Sequence, residues 1–298
     1  MILGADFIHF SIPVSHDIQI RGSQAGNGPP LLLLHGFPQT HLIWHKIAEQ
    51  LCSQYRVIAL DLRGYGRSSK PADTDGTHQT YAKSAMAKDI AVVMERLNYP
   101  EYFVCGHDRG GRVAHKLAID YPDRVTKLMV LDIAPTLAMF ETVDKEFATK
   151  YWHWFFLIQP TPFPEQAILG NPNAFADKCL GGLPGSQNGI FHPDAWKEYT
   201  DLFKDKQGVH AMCEDYRAAA SVDIEEQRDD IKNGRKIQCP LRVLWGKKGL
   251  IEIKYDAVAE WKKVCSNEVS GEAVDSGHYI PEELAPEQLL DHFKNFFV

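Results

Sequence analysis

The chain has 298 residues, and its 39 acidic and 32 basic side chains give a formal charge of −7 at pH 7. Hydrophobic residues make up 44% and charged residues 24%, which is typical of a globular protein and not of a disordered chain. The negative balance argues against nucleic acid or an anionic membrane as the main partner, because both favour clustered lysine and arginine. It also offers no global attraction to an anionic small molecule.

Neither the apolar runs nor the cysteines indicate export or a membrane. Residues 1–13 lack the basic start and long apolar run of a signal peptide. The longest apolar run, residues 31–34, is far shorter than the roughly 18 residues that a membrane span needs. The six cysteines form no CxxC pair, which favours reduced thiols over a disulfide framework or a zinc site. We therefore expect a cytoplasmic protein without a metal.

Predicted strands and helices alternate along the first part of the chain. Strands are predicted at 7–12, 17–21, 31–34, 56–60, 102–105 and 127–131, and helices at 42–51, 81–97 and 112–120. The uninterrupted apolar strand 31–34 suits a sheet that is covered on both faces. The alternation predicts an α/β fold with a mostly parallel sheet.

The alternation breaks at Pro135. Residues 136–228 are helix-like and rich in aromatic side chains, and strands resume at 241–245 and 273–274 before a final helix at 286–297. We predict a core formed by residues 1–135 and 229–298, with a helical cap over residues 136–228.

The motif GHDRGG at residues 106–111 directly follows a predicted strand and opens a helix. This context is typical of a nucleophile elbow, in which glycines relieve crowding around a strained nucleophile at a sharp strand-to-helix turn. Asp108 occupies the nucleophile position. An aspartate there can also simply cap the helix, and the six residues alone leave both interpretations open.

Three further features favour the nucleophile. His278, at the end of the motif DSGH, follows Asp108 in chain order, as a hydrolase arrangement requires. Asp132 ends the strand after the elbow and is positioned to orient that histidine. The motif HGFP at residues 35–38 follows an earlier strand, where a backbone N–H can face an oxyanion.

Together the motifs HGFPQT (35–40), DLRGYGRS (61–68), GHDRGGR (106–112) and SGH (276–278) resemble the α/β-hydrolase superfamily across nearly the whole core. The resemblance implies an α/β-hydrolase fold, with a mostly parallel eight-stranded sheet flanked by helices and a helical cap. The aspartate at the elbow narrows it to the branch of haloalkane dehalogenases, epoxide hydrolases and haloacetate dehalogenases. It further implies that no cofactor is needed, and it is compatible with a homodimer.

The chemistry of this branch gives each catalytic residue an expected role. An aspartate, with an ordinary pKa of about 3.9, is ionised at neutral pH and attacks an sp³ carbon without a base. His278 then activates water to hydrolyse the ester, and Asp132 holds its tautomer. Many relatives place the acid after the strand 241–245, where the nearest carboxylate is Glu252; Asp132 is the better candidate.

The residue after the nucleophile points to the substrate. Haloalkane dehalogenases and typical epoxide hydrolases usually carry tryptophan there, whereas this chain has Arg109, with Arg112 on the same side of the helix start. Two guanidiniums beside a working carboxylate suit a substrate that is itself a carboxylate, since arginine contacts carboxylates bidentately. The alternative is that Arg109 pairs with a surface acid. The pattern DRxxR is similar to that of fluoroacetate dehalogenases.

The predicted cap contains candidates for halide binding. In the haloacetate dehalogenase family a His-Trp pair and a tyrosine hold the departing halide, and the matching residues here are His153, Trp154 and Tyr216. All three side chains are hydrogen-bond donors. Their neighbours Trp152, Phe155 and Phe156 are expected to pack in the cap core.

The sequence therefore predicts a haloacetate dehalogenase that converts fluoroacetate or another short haloacid, with water, to glycolate and halide. The backbone N–H groups of Phe37 and Arg109 are expected to form the oxyanion hole. One alternative is an epoxide hydrolase with Tyr216 as the acid, and another is a non-catalytic ligand-binding hydrolase fold. The net negative charge does not oppose an anionic substrate, because salt screens bulk charge over about 8 Å and capture would depend on Arg109 and Arg112 in a desolvated pocket.

Overall fold

The computed structural model describes residues 2–181 and 189–298. Eight strands form one sheet in the order β1-β2-β4-β3-β5-β6-β7-β8. Their bounds are β1 Ile8–Pro13, β2 Gln19–Ala25, β3 Pro30–Leu34, β4 Arg56–Leu60, β5 Tyr102–His107, β6 Val125–Leu131, β7 Leu241–Gly246 and β8 Val269–Val274. Strand β2 runs antiparallel to both β1 and β4, and the other neighbouring pairs are parallel. The predicted mostly parallel, eight-stranded sheet is confirmed.

Helices connect and cover these strands, and two short 3₁₀ turns lie at His41–Trp44 and Gln79–Tyr81. The helices are α1 Ala48–Leu51, α2 Lys83–Arg96, α3 Arg109–Asp120, α4 Thr136–Glu141, α5 Lys145–Lys150, α6 Trp152–Leu157, α7 Phe163–Gly170, α8 Pro172–Cys179, α9 Pro193–Leu202, α10 Lys206–Ala219, α11 Val222–Lys232, α12 Leu250–Lys254, α13 Ala257–Val264, α14 Ile280–Glu283 and α15 Pro286–Phe296. Within the described ranges, none of them is long and apolar enough to cross a bilayer.

Apolar side chains alternate between the two faces of the central strands. On one face, Leu32, Leu34 and Ile58 join a core cluster that extends into α2, α3 and α10. On the other face, Leu31 and Leu33 join a second cluster with α1 and α15. Because both faces are covered, every side chain in 31–34 is buried, which explains why the sequence shows an unbroken apolar run instead of alternation.

Several predicted elements have other bounds in the structure; the strand predicted at 17–21, for example, is Gln19–Ala25. The predicted helix 42–51 is a 3₁₀ turn followed by the short α1, and the Ile47 amide bonds to the Trp44 carbonyl three residues back. The same apolar side chains are buried in this segment whether the helical repeat is three or four residues. The apolar pattern therefore could not distinguish a 3₁₀ turn from an α-helix. Strand β8 is longer than the predicted 273–274. The prediction was too short because β8 lies at the sheet edge, where its middle residues are not buried and give a weak apolar signal.

A long helical insertion, helices α4 to α11, separates β6 from β7, and the described part of that interval contains no strand. The predicted cap of residues 136–228 falls in this interval, and its predicted end lies inside α11. Helix α10 is buried over most of its length and contributes to the core cluster on one face of the sheet.

The strand order reverses around β3, which lies between β4 and β5 and is parallel to both. Ligands of open α/β sheets bind at the carboxyl ends of strands at such a reversal. Leu34 at the end of β3 pairs with Gly106 near the end of β5, so the loops after these two strands meet at one edge of the sheet. The fold therefore brings the motifs at 35–40 and 106–112 together.

Gly110 allows α3 to approach β3 closely. A Cβ built on Gly110 would lie 2.3 Å from the carbonyl oxygen of His35 and 2.6 Å from that of Leu34. We expect Gly110→Ala to lower the free energy of unfolding by about 1–3 kcal/mol, because backbone atoms cannot rotate out of the way. Urea unfolding followed by circular dichroism measures this.

Gly170, at the end of α7, is the matched control because a Cβ there meets nothing within 4 Å. Gly170→Ala should leave the stability unchanged or raise it by up to about 1 kcal/mol, through the better helix propensity of alanine. Equal effects of the two substitutions would contradict the close approach of α3 to β3.

Candidate active site

Asp108 lies at the sharp turn between β5 and α3. Its backbone has φ 46° and ψ −114°, a strained conformation for a residue with a side chain. The carboxylate is 5% exposed and makes no capping hydrogen bond to the helix. Instead, the backbone N–H of Phe37 donates to Asp108 Oδ2 over 3.0 Å. Of the two interpretations left open by the motif, the capping one is therefore wrong.

The charges around Asp108 keep its side chain ionised. Burial opposes the charged form, but the positive charges of His278, Arg112 and Arg109 outweigh it and lower the pKa of Asp108 to about 2. The carboxylate is thus available as an anion at neutral pH inside a buried site.

His278 and Asp132, predicted from motifs far apart in sequence, lie in contact. Asp132 Oδ2 lies 2.7 Å from His278 Nδ1, and its Oδ1 accepts the Gly246 N–H over 2.9 Å. Glu252, the alternative acid, instead accepts a hydrogen bond from the indole of Trp245 and is exposed. Asp132 has a φ of 54°, so it shares with Asp108 a strained backbone directly after a strand, and the two strands are neighbours.

The surroundings of His278 favour its protonated form. Burial would lower its pKa, but the hydrogen bond and charge of Asp132, and the charge of Asp108, raise the pKa above the ordinary value. His107, which the sequence did not single out, packs beside it with ring centroids 4.8 Å apart, and its Nε2 lies 2.8 Å from the His278 carbonyl oxygen. Burial lowers the pKa of His107 to about 3, so this ring stays neutral and donates to that carbonyl.

The Arg109 side chain pairs with an acid of the inserted helices. The guanidinium is fully buried and pairs with Asp215 of α10, through Nε (2.9 Å to Oδ2) and Nη2 (2.7 Å to Oδ1). The bidentate contact expected for a substrate is therefore made to a carboxylate of the protein, and this acid is buried and not a surface residue. Arg109 Nη1 is the guanidinium nitrogen that is buried without a partner. The backbone N–H of Arg109 is the first amide of α3, directly after Asp108.

Arg112 lies one helical turn further along α3 and is 3% exposed. Its Nη1 donates to Thr136 Oγ1 over 2.8 Å, and the guanidinium carbon lies 4.9 Å from the centre of the Trp154 ring. Its Nε is buried without a hydrogen-bond partner. Each arginine near Asp108 thus keeps one buried donor nitrogen unpaired.

Two of the three predicted halide ligands pack against Phe37, and the third packs against Tyr216. His153 stacks on Phe37 with ring centroids 5.7 Å apart, and Tyr216 packs edge-on to Phe37 at 5.2 Å. Trp154 lies 6.3 Å from the Tyr216 ring. Burial lowers the pKa of His153 to about 3, so the imidazole is neutral, and the Tyr216 hydroxyl is buried without a partner.

A cavity of about 360 Å³ lies beside the nucleophile. Its lining includes Asp108, His278, Phe37, His153 and Trp154, and Tyr216 packs against the lining residue Phe37. Tyr151 and Trp152 also line the cavity. Trp152 also packs against Phe156 and Phe175, as expected for a residue of the cap core. Tyr151 was missed because an aromatic run gives no signal for which ring faces inward.

A second cavity is larger, about 830 Å³, but it shares no lining residue with the first and contains none of the predicted catalytic side chains. His41, Asp61 and Glu198 line it and form one of three groups with metal-ligand spacing. The other two groups share Glu214. Among the described residues, none of these groups includes Asp108, Asp132 or His278, so the geometry assigns no metal to the predicted catalytic residues.

The chain belongs to the α/β-hydrolase family, whose model of the alpha/beta hydrolase fold matches residues 29–283. It is 41% identical over 263 residues to a fluoroacetate dehalogenase from a Burkholderia species, covering 88% of this chain and 85% of that protein. It is 30% identical to a soluble epoxide hydrolase from Corynebacterium sp. strain C12, covering 95% and 96% of the two chains.

The structural comparison agrees. A solved structure from Nostoc sp. PCC 7120, provisionally described as an α/β hydrolase, superposes with a TM-score of 0.92 at 49% identity and covers 98% of both chains. The predicted fold and the resemblance to the haloacetate dehalogenase family are confirmed, and the protein is an enzyme of the α/β-hydrolase family.

The contact between Asp132 and His278 generates a test. Asp132→Asn removes the negative charge that holds the His278 pKa up, so that pKa should fall below its wild-type value, because burial then dominates. NMR titration of the imidazole C–H signals measures the change. Asp275→Asn, next to the same loop but exposed and paired with Lys248, should leave the His278 titration unchanged. An unchanged His278 pKa in Asp132→Asn would contradict the proposed coupling.

Proposed function

We propose that this protein is a haloacetate dehalogenase, which hydrolyses fluoroacetate or another short 2-halo acid to the 2-hydroxy acid and halide. One observation carries the proposal: three buried donors, Arg109 Nη1, Arg112 Nε and the Tyr216 hydroxyl, are unpaired around an ionised carboxylate. Leaving buried donors unpaired costs free energy, about 1–3 kcal/mol each. An anionic substrate with a halide leaving group supplies the missing acceptors.

In the first step, an oxygen of Asp108 attacks the carbon that carries the halogen. The carbon–halogen bond breaks, the halide leaves with the bonding electrons, and an ester forms with Asp108. Because the Phe37 N–H already holds Oδ2, Oδ1 is the better nucleophile. Arg112 and Arg109 offset the repulsion between the Asp108 carboxylate and the carboxylate of the substrate.

Formation of the ester removes the charge of Asp108, one of the groups that raise the pKa of His278. In the second step, neutral His278 takes a proton from water, which attacks the carboxyl carbon of the ester. The charge that develops on Oδ2 is stabilised by the Phe37 N–H and by the first amide of α3. Asp132 keeps the proton on Nδ1, so Nε2 is the basic nitrogen. The intermediate collapses by breaking the bond between the carboxyl carbon and the substrate oxygen, which takes the proton from His278 and leaves as the hydroxy acid. Loss of the second water proton to solvent restores the Asp108 carboxylate.

The departing halide needs hydrogen-bond donors, because fluoride in particular is strongly solvated in water and the buried site must replace that solvation. The neutral imidazole of His153, the indole of Trp154 and the hydroxyl of Tyr216 are donors, and the rings of His153 and Trp154 both pack against Tyr216. The similarity to the Burkholderia fluoroacetate dehalogenase supports the same assignment.

Halide release from fluoroacetate and chloroacetate tests the proposal. The purified enzyme should release halide, and Asp108→Asn should lower the rate by roughly 10⁴-fold or more, because a neutral amide is a poor nucleophile. His278→Asn should release about one halide per active site and then stop, since the ester is no longer hydrolysed. Mass spectrometry should find one carboxymethyl group on a peptide that contains Asp108.

The double variant Asp108→Asn/His278→Asn is the control and should carry no added mass. Inertness of the wild-type enzyme towards both haloacetates would exclude the proposed substrate class. A halide burst without an ester on Asp108 would exclude the proposed nucleophile.

An epoxide hydrolase is the second candidate, favoured by the unpaired, buried hydroxyl of Tyr216 and by the similarity to the Corynebacterium epoxide hydrolase. In that reaction Tyr216 would donate a proton to the epoxide oxygen. Diol formation from styrene oxide that Tyr216→Phe abolishes, without halide release from haloacetates, would support this candidate. We expect no measurable diol from the wild-type enzyme, because the two arginines favour an anionic substrate.

A further inference from the structure

The guanidinium of Arg109 is fixed on one edge by Asp215. Besides the two carboxylate contacts, Arg109 Nη2 donates to the backbone carbonyl of Asp215 over 2.7 Å. Both side chains are 0% exposed. Two of the three guanidinium nitrogens are therefore used within the protein, and Nη1 is the remaining one.

Asp215 is itself held from two further directions. The Tyr65 hydroxyl donates to Oδ2 over 2.6 Å, and the ammonium of Lys83 donates to Oδ1. Together with Arg109, each carboxylate oxygen accepts two hydrogen bonds. Lys83 Nζ also lies 3.3 Å from Asp223 Oδ2. The two buried cations, Arg109 and Lys83, therefore face two buried carboxylates. We call Asp215, Lys83 and Tyr65 the Asp215 cluster.

The cluster joins the inserted helices to the α/β core. Asp215 lies on α10 in the insertion, whereas Lys83 begins α2 and Tyr65 lies in the loop after β4. Tyr216, the next residue on α10, places its ring 4.2 Å from the Arg109 guanidinium carbon. One turn of α10 therefore contacts Arg109 through both a carboxylate and an aromatic face.

Stability alone is a weak explanation for this cluster. A buried ion pair seldom adds net stability over well-packed apolar side chains, because two charges must be desolvated. A long arginine side chain, however, has many rotamers, and freezing them before a ligand arrives removes that entropic cost from binding.

We propose that Asp215 is a positioning residue for the carboxylate site. It holds Arg109 through Nε and Nη2 and leaves Nη1 for the substrate, so that docking of α10 on the core assembles the anion site. The substrate carboxylate then takes one contact from Arg109 Nη1 and one from Arg112 Nε. This inference rests on the proposed haloacid activity, and its test separates the two.

Tyr65→Phe removes one hydrogen bond to Asp215 without changing any charge. The acetate dissociation constant, measured by calorimetry, should rise by about fivefold, and the KM for chloroacetate should rise with it.

Asp215→Asn removes the main contact, and kcat/KM should fall by roughly 100-fold, as expected for a misplaced binding group. Tyr102→Phe is the matched control, because the Tyr102 hydroxyl is buried without a partner outside the site; it should bind acetate as the wild type does.

The NMR signal of the Arg109 Nε–H group reports how firmly the guanidinium is held when no substrate is bound. The signal is assigned by its loss in Arg109→Lys. Its hydrogen exchange should be at least about tenfold faster in Asp215→Asn and faster in Tyr65→Phe, because the hydrogen bond protects it. If Asp215→Asn does not fold, Tyr65→Phe carries the test. A purely structural cluster would lower the unfolding temperature but leave the acetate affinity unchanged, and this result would overturn the proposal.

The outcomes distinguish this inference from the proposed activity. Acetate binding that weakens in Tyr65→Phe, with no halide release by the wild-type enzyme, would overturn the activity and support the positioning role. Halide release with equal acetate affinity in the wild type, Tyr65→Phe and a folded Asp215→Asn would overturn the positioning role and leave the activity.

Discussion

The site depends on one electrostatic constraint: Asp108 must remain an anion while it is almost completely buried. A buried carboxylate without partners becomes protonated, and a protonated carboxyl is a poor nucleophile. The fold meets the constraint with the Phe37 N–H, with His278 and with two arginines that begin the helix after Asp108. The strained backbone at Asp108 holds the carboxylate where these groups converge.

The same cations are suited to an anionic substrate, and this resolves the conflict with a net charge of −7. Bulk charge acts over a distance that salt screens, whereas Arg109 and Arg112 act in a buried region of low effective dielectric. Asp215 pairs with Arg109 and so weakens the repulsion between the two adjacent guanidiniums. In the proposed reaction, this balance leaves one donor nitrogen on each arginine for the substrate.

The inserted helices contribute directly to the site. Helix α10 supplies Asp215 and Tyr216, and α6 supplies His153 and Trp154, so the proposed carboxylate and halide contacts both depend on how the insertion packs on the core. The stacking of His153 on Phe37 connects the insertion to the loop that holds Asp108. In the proposed mechanism, nucleophile, oxyanion donor and halide donors are therefore fixed by a single packed unit.

The sequence by itself determined the parallel sheet, through its alternating apolar strands and helices, and it identified Asp108, His278 and Asp132 through motifs at strand ends. These features are local, because glycine-rich turns and apolar runs reflect the conformation of a few adjacent residues. Only the tertiary structure decided that Arg109 pairs with Asp215, that Tyr151 lines the cavity, and that His107 supports the His278 loop. A side chain's partner depends on which distant segment packs against it, and residues more than a hundred positions apart give no shared local pattern.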